Sequence, residues 1–342
     1  MKDIYIKKQL PTASKVLDTY WKFACERQNI FFKRISRKSV LTNDEILIKH
    51  KFTNAYRASD RVSQYLIKNV IRYHNQNHED TLFRILLFKL FNKISTWELL
   101  ESELGDLTWR EYSFDKYNNI LLEAMKAKEA IYSGAYIMAS GKSYFGYQKK
   151  HENHLRLLEH IVKSGFLTKL QGAKSMEDVF HLLLSFPTIG TFLAYQYTID
   201  LNYSELINFS EMDFVYPGPG AKDGIKKCFT NFGDYTESDI IRYVTDIQYE
   251  EFDRLGVTFC DLWGRSLQLI DCQNLFCETD KYARVAHPEI TGISNRMRIK
   301  QIYSKNYSDI EYYYPPKWGI NHKIPLSDGK TNKNNLITSR SM

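Results

Sequence analysis

Between His181 and Asp200 the chain reads as two apolar stretches joined by a short break, Ser185-Phe-Pro-Thr-Ile-Gly190. A Pro-x-x-Gly break between apolar helices folds them back on each other and predicts a helix-hairpin-helix element. Its sharp bend is expected at Gly190, where a missing Cβ frees the backbone. The helix that follows points its first N–H groups outward, a geometry suited to a phosphate. Few turn-formers surround this element. The chain has only 16 Gly and 8 Pro in 342 residues, against 24 Tyr and 20 Phe. Long periodic runs with so few breaks favour helices over a many-stranded sheet, so the expected fold class is all-α.

Helix starts are readable at Pro11-Thr-Ala-Ser14 and Thr42-Asn-Asp-Glu45, each a capping residue ahead of an apolar run. Val62, Tyr65, Leu66 and Val70 fall on one helical face. The segment from Thr81 to Asn92 is apolar nearly all round, the pattern of a central buried helix. Further helices are expected over 15–27, 97–104, 114–131, 151–164, 175–184, 191–201, 221–229, 238–249 and 260–278. We divide the chain into an N-terminal helical lobe (1–146), a second lobe containing the hairpin (147–313), and a polar tail (314–342), disordered from Ser327 onward.

No apolar run approaches the roughly 20 residues that cross a bilayer. The first residues lack the apolar core of a signal peptide. A cytoplasmic protein without membrane contact is expected. The net charge of +7 suits nucleic acid without demanding it. Five cysteines, Cys25, Cys228, Cys260, Cys272 and Cys277, show neither paired metal-ligand spacing nor a cluster run. They read as buried reduced thiols, and neither metal nor other cofactor is expected. His151-Glu-Asn-His154 has its histidines three apart rather than four, and reads as a surface cluster instead of a zinc site. Ser140-Gly-Lys-Ser143 invites comparison with a phosphate-binding loop, but G-x-x-x-x-G-K-[ST] requires Gly where Tyr136 stands.

The candidate chemistry centres on Asp213, which lies 23 residues past Gly190. DNA glycosylases built on this hairpin carry a carboxylate in that neighbourhood. Cleaving an N-glycosidic bond builds positive charge on the sugar. A half-buried carboxylate stabilises that charge and orients water. The alternative role for Asp213 is an N-cap or turn aspartate ahead of Pro217-Gly-Pro-Gly220; Glu211 and Asp200 are the fallback acids. Bifunctional relatives carry a Schiff-base lysine two residues beyond the last hairpin Gly. Phe192 occupies that place, so water is the expected nucleophile.

Thr188, Ile189 and Gly190 of the hairpin are candidate DNA contacts. So are Gly218 and Gly220 with Lys222, Lys226 and Lys227, a glycine-rich helix start beside three cations. Tyr195, Tyr197, Phe214 and Tyr216 either line a pocket for an extruded base or belong to the core. Glu278, Asp280 and Lys281 are either substrate contacts or members of a salt-bridged network. Spacing leaves the same choice open for Phe52 to Arg61.

Four segments carry a resemblance: Lys51-Phe-Thr-Asn-Ala-Tyr-Arg-Ala-Ser-Asp-Arg-Val62, Gly190 to Leu201, Gly218-Pro-Gly-Ala221 and Cys277-Glu-Thr-Asp-Lys-Tyr282. They resemble the helical domain named after 5-hydroxymethyl-deoxyuridine DNA kinases, also described as the α-glutamyl/putrescinyl thymine pyrophosphorylase clade of phage DNA hypermodification. The resemblance implies a DNA-glycosylase-like helix-hairpin-helix core and double-stranded DNA bearing modified bases as partner. Similar bacterial proteins excise glucosylated hydroxymethylcytosine from phage DNA. With no phosphate-binding loop in sight, the expectation is a monofunctional DNA glycosylase of antiviral defence. It would flip α-glucosyl-hydroxymethylcytosine out of phage DNA and leave an abasic site, with Asp213 as its acid. The alternatives are a 5-hydroxymethyluracil DNA kinase or transferase, and a non-catalytic binder of modified DNA.

Overall fold

A computed structural model describes residues 8–134, 138–304 and 310–325. Its first half runs α1 (Lys15–Ile35), α2 (Glu45–Lys49), α3 (Arg61–Tyr65), α4 (His78–Phe91), α5 (Ile94–Leu104) and α6 (Phe114–Lys126). Then come α7 (Lys142–Phe145), α8 (Lys150–Lys163), α9 (Phe166–Gly172), α10 (Met176–Leu184) and α11 (Thr191–Leu201). The last group is α12 (Pro219–Cys228), α13 (Glu237–Asp246), α14 (Gln248–Arg254) and α15 (Leu269–Ala286). The one sheet among the described residues pairs β1 (Thr12–Ala13) antiparallel to β2 (Phe229–Asn231), Thr12 opposite Asn231. The fold is all-α.

Local chemistry sets the helix ends. Ser14 Oγ accepts the Val16 N–H and donates to the Lys227 carbonyl, so one residue starts α1 and ties it to α12. Asn77 caps α4 through the N–H groups of Glu79 and Asp80. As the sequence predicts, α4 is buried on nearly every side, from Thr81 to Phe91. The run expected over 62–70 begins as α3 and loosens into a π-helical stretch, Leu66–Arg72. The helix expected from residue 260 starts only at Leu269, because Trp263 and Gly264 take positive φ (53° and 92°).

Helix α1 packs on α12 and α15, joining the start of the chain to the second half. α12 and α15 are the most closely opposed pair. A Cβ on Gly224 would stand 2.0 Å from the Phe276 carbonyl oxygen, so that approach requires glycine. The segment after α15 crosses back over the first half, and Lys51 N–H donates to the Gln301 carbonyl. The polar tail therefore begins later than residue 314: Tyr314 and Ile320 are buried, and Lys317 Nζ donates to the carbonyls of Ser204 and Ile207. The expected disorder past Ser327 and the Tyr136 substitution lie outside the described residues. No described helix is long and apolar enough to cross a membrane.

Candidate nucleic-acid interface and the charge lattice behind it

Helices α10 and α11 pack on each other across the turn at residues 185–190, and that turn is not built as the sequence expects. The left-handed residue is Thr188, at φ 67°, and Gly190 is extended at φ −81°. A Cβ on Gly190 would meet nothing within 4 Å, so its conformation does not demand glycine. A β-branched residue at positive φ is strained. The Thr188 Oγ1 is also buried without a hydrogen-bond partner. Ile189 anchors the turn in the core at 4% exposure.

The helices that leave this region share one trait. α11 begins at Gly190 and α12 at Gly218, and neither has a side-chain cap or an acid in its first turn. Their first N–H groups lie outside the intrahelical ladder, at the positive end of each helix dipole. The two starts are neighbours, since a Cβ on Gly218 would come within 2.9 Å of the Phe192 ring. A Cβ on Gly220 would stand 3.1 Å from Cys277 Sγ. These glycines serve close packing rather than a special turn. Lys222 is half-buried, 3.8 Å from Glu237, and Lys226 is exposed. Lys227 departs from expectation: it is buried, with Nζ 2.9 Å from Asp280 Oδ1. It locks α12 to α15 and presents no cation to a ligand.

α10, by contrast, is capped twice. Ser175 and Asp178 form a capping box, and the Met176 N–H donates to Asp213 Oδ2 at 2.9 Å. Asp213 is exposed on the turn after Ser210, its carboxylate engaged by a helix start. Asp213 thus caps α10, and not the helix after Pro217-Gly-Pro-Gly220 that the sequence reading placed it ahead of. The fallback acids are deeply buried. Asp200 sits between Arg57 Nη1 (2.8 Å) and Lys89 Nζ (2.9 Å). Burial works to raise its pKa, but the two cations outweigh burial and hold it below the usual carboxylate range. Glu211 is 3.3 Å from Arg265, whose guanidinium lies 3.9 Å over the Trp318 ring. Burial raises the Glu211 pKa against the opposing pull of Arg265.

Arg57 is the hub of this lattice. Its side chain donates to Gln196 and Tyr203, and its backbone N–H donates to Asp271 Oδ1 at 2.8 Å. Burial, then the nearby Glu211, pushes Asp271 up to about 7. Asp60 reaches about 7 mainly through burial, although the Asn54 N–H donates to it.

The expected base pocket is not assembled as such. Tyr195 and Tyr197 are core residues at 1% exposure, and Phe214 and Tyr216 pack on Phe180 at 5.2 Å. Asp280 bridges Lys227 and Arg284. Glu278 accepts the Thr53 N–H and pairs with Lys281, which lies over the Phe52 ring. These charges form the salt-bridged network. The histidines are not a surface cluster: His151 pairs with Asn118, and His154 lies between Tyr132 and the Ala139 carbonyl. Burial pushes His154 down to about 4. Cys25, Cys228 and Cys272 are buried free thiols, whereas Cys260 is exposed. Among the described residues, no three His, Cys, Asp or Glu side chains are grouped to hold a metal. Sequence reasoning missed Lys89 and Arg265, whose ion pairs with Asp200 and Glu211 are long-range, and Gln273, whose bond to Cys277 lies within its own helix.

Over residues 14–292 the chain matches the family described as 5-hmdU DNA kinase, helical domain, and it belongs to that family. A protein of Bacillus phage SP10 described as a 5-hmdU DNA kinase is 25% identical over 301 residues, covering 82% of this chain and 47% of that protein. The chain thus spans about half the length of this relative. No solved structure matches it. These matches correct the glycosylase expectation, since the relative and the family are described by a phosphoryl-transferring DNA kinase and not by a hydrolase.

Proposed function

We propose that this chain is the DNA-holding helical unit of a hypermodification enzyme acting on 5-hydroxymethyluracil in DNA. The observation that carries this reading is the pair of neighbouring, uncapped helix starts at Gly190 and Gly218, beside a helix that is capped twice. Two positive dipole ends separated by one phenyl ring suit successive phosphates of a DNA backbone. Lys222 and Lys226 add a salt-sensitive component to that grip. In the reaction, the hydroxymethyl oxygen takes a phosphoryl group from a nucleoside triphosphate, loses its proton to a base, and releases the diphosphate. The proposal assigns this chain the DNA end of that reaction.

Fluorescence anisotropy with matched duplexes carrying thymine or 5-hydroxymethyluracil tests it. Tighter binding of the hydroxymethylated duplex is expected, and equal affinity for both contradicts the reading. Adding labelled ATP separates an enzyme from a binder. The lack of G-x-x-x-x-G-K-[ST] in the sequence favours the binder, and label retained on the modified duplex decides for the enzyme.

A further inference from the structure

Gln273, on α15, is 1% exposed, and its Oε1 is buried without any hydrogen-bond partner. Its Nε2 donates to Cys277 Sγ at 3.3 Å, one turn along the same helix. That bond fixes the amide plane and leaves the acceptor orphaned. Buried carboxamide oxygens are normally satisfied, so an orphan beside a candidate site calls for a missing donor. The amide borders the first turn of α12: a Cβ on Gly218 would lie 3.6 Å from Gln273 Nε2 and 2.9 Å from the Phe192 ring. An uncapped ten-residue helix, a half-buried aromatic ring and an unsatisfied amide therefore meet at one point.

We propose that Gln273 reads the hydrogen-bonding edge of an unstacked uracil-type base brought to the start of α12. Its Oε1 accepts from the ring N3–H, and the Phe192 ring supplies a stacking face. Uracil carries a donor at N3 between two carbonyl acceptors, matching an amide that offers an acceptor beside a donor. Cytosine presents a bare acceptor at N3, which would repel the Gln273 oxygen in the pose that sets Oε1 against N3. Gln273 is closed off from solvent in the unbound protein, so the base reaches it when the Phe192 ring swings away from Gly218. This inference rests on the DNA-holding role proposed above, and it makes the base class, not only the backbone, part of recognition.

The test measures the affinity of the full chain for duplexes with one 5-hydroxymethyluracil, one 5-hydroxymethylcytosine, or one N3-methylated 5-hydroxymethyluracil. Wild-type protein is expected to favour the first over each of the others by about tenfold or more, the scale of one lost buried hydrogen bond. The N3-methyl base is already unpaired, which should help extrusion, so weaker binding to it isolates the N3–H contact. Gln273→Leu, checked for a cooperative melt, is expected to bring both ratios close to one. If Gln273→Leu does not fold, the N3-methyl comparison on wild-type protein decides alone. Equal wild-type affinity for the three duplexes, or preserved ratios in Gln273→Leu, overturns the assignment of Gln273 while leaving DNA binding intact. Absence of binding to any duplex overturns the DNA-holding role itself.

Discussion

Among the described residues Thr188 carries the sharpest local conflict, a β-branched side chain in the left-handed region with a buried, unpartnered hydroxyl. Strain of this kind costs about 1–3 kcal/mol, and glycine's extra chain entropy costs about 0.5–1 kcal/mol. The strain is the larger of the two. Thr188→Gly is therefore expected to stabilise the protein by about 1 kcal/mol, read as a higher Tm; a lower Tm contradicts the strained assignment. Asp280 is the opposite case, a buried carboxylate holding Lys227 and Arg284. Asp280→Asn takes the carboxylate from buried Lys227 and half-buried Arg284 and should destabilise by about 3 kcal/mol in denaturant unfolding. Asp271 and Asp60 contribute to the pH response. Both are raised to about 7 in the folded chain, so between the ordinary carboxylate range and pH 7 the folded state binds more protons than the unfolded one. Their contribution to stability accordingly falls as pH rises from about 4 to 7 and levels off above, while His154, pushed down to about 4, contributes in the opposite sense over that window. Asp271→Asn should remove its share of that fall, so that Tm drops less or rises more between about pH 4 and 7 than in the wild type; an unchanged slope removes Asp271 from the account.

At the scale of elements, apolar periodicity and capping residues made most helices legible. Ser14, Ser175 and the all-round apolar run from Thr81 were sufficient for α1, α10 and α4. What sequence could not show was which partner each polar side chain would find. Asp213 and Met176 are 37 residues apart, and Arg57 and Asp200 are 143 apart. An acid at the expected spacing from a hairpin looks the same in sequence whether it caps a helix or faces a substrate. The bend in the hairpin was misplaced at Gly190 for a related reason, because glycine permits a left-handed turn but does not require one. Gly224 is the reverse, ordinary in sequence and indispensable in space. Gly224→Ala forces a methyl group onto the Phe276 carbonyl. It should cost about 3 kcal/mol or more, beyond ordinary overpacking because the obstacle is backbone. A melt unchanged from wild type contradicts the close α12–α15 contact.

For the whole molecule, the all-α architecture was readable from the scarcity of turn-formers, whereas the chemistry was not. The glycosylase expectation leaned on one spacing, and the match to the 5-hmdU DNA kinase helical domain corrects it. The buried lattice around Arg57 ties α4, α11 and α15 together, and the return of the chain past Tyr314 packs beside it. The starts of α11 and α12 lack comparable caps. The central claim is that these two helix starts hold DNA, and Thr191→Glu tests it most directly. An acid in the first turn of α11 complements the helix dipole, so the protein should keep or slightly raise its Tm, by about 0.3–1 kcal/mol of stability. The same charge repels a phosphate arriving there. At matched salt, affinity for a 5-hydroxymethyluracil duplex should fall by about five- to tenfold. Undiminished affinity in a fully folded Thr191→Glu protein would contradict the account.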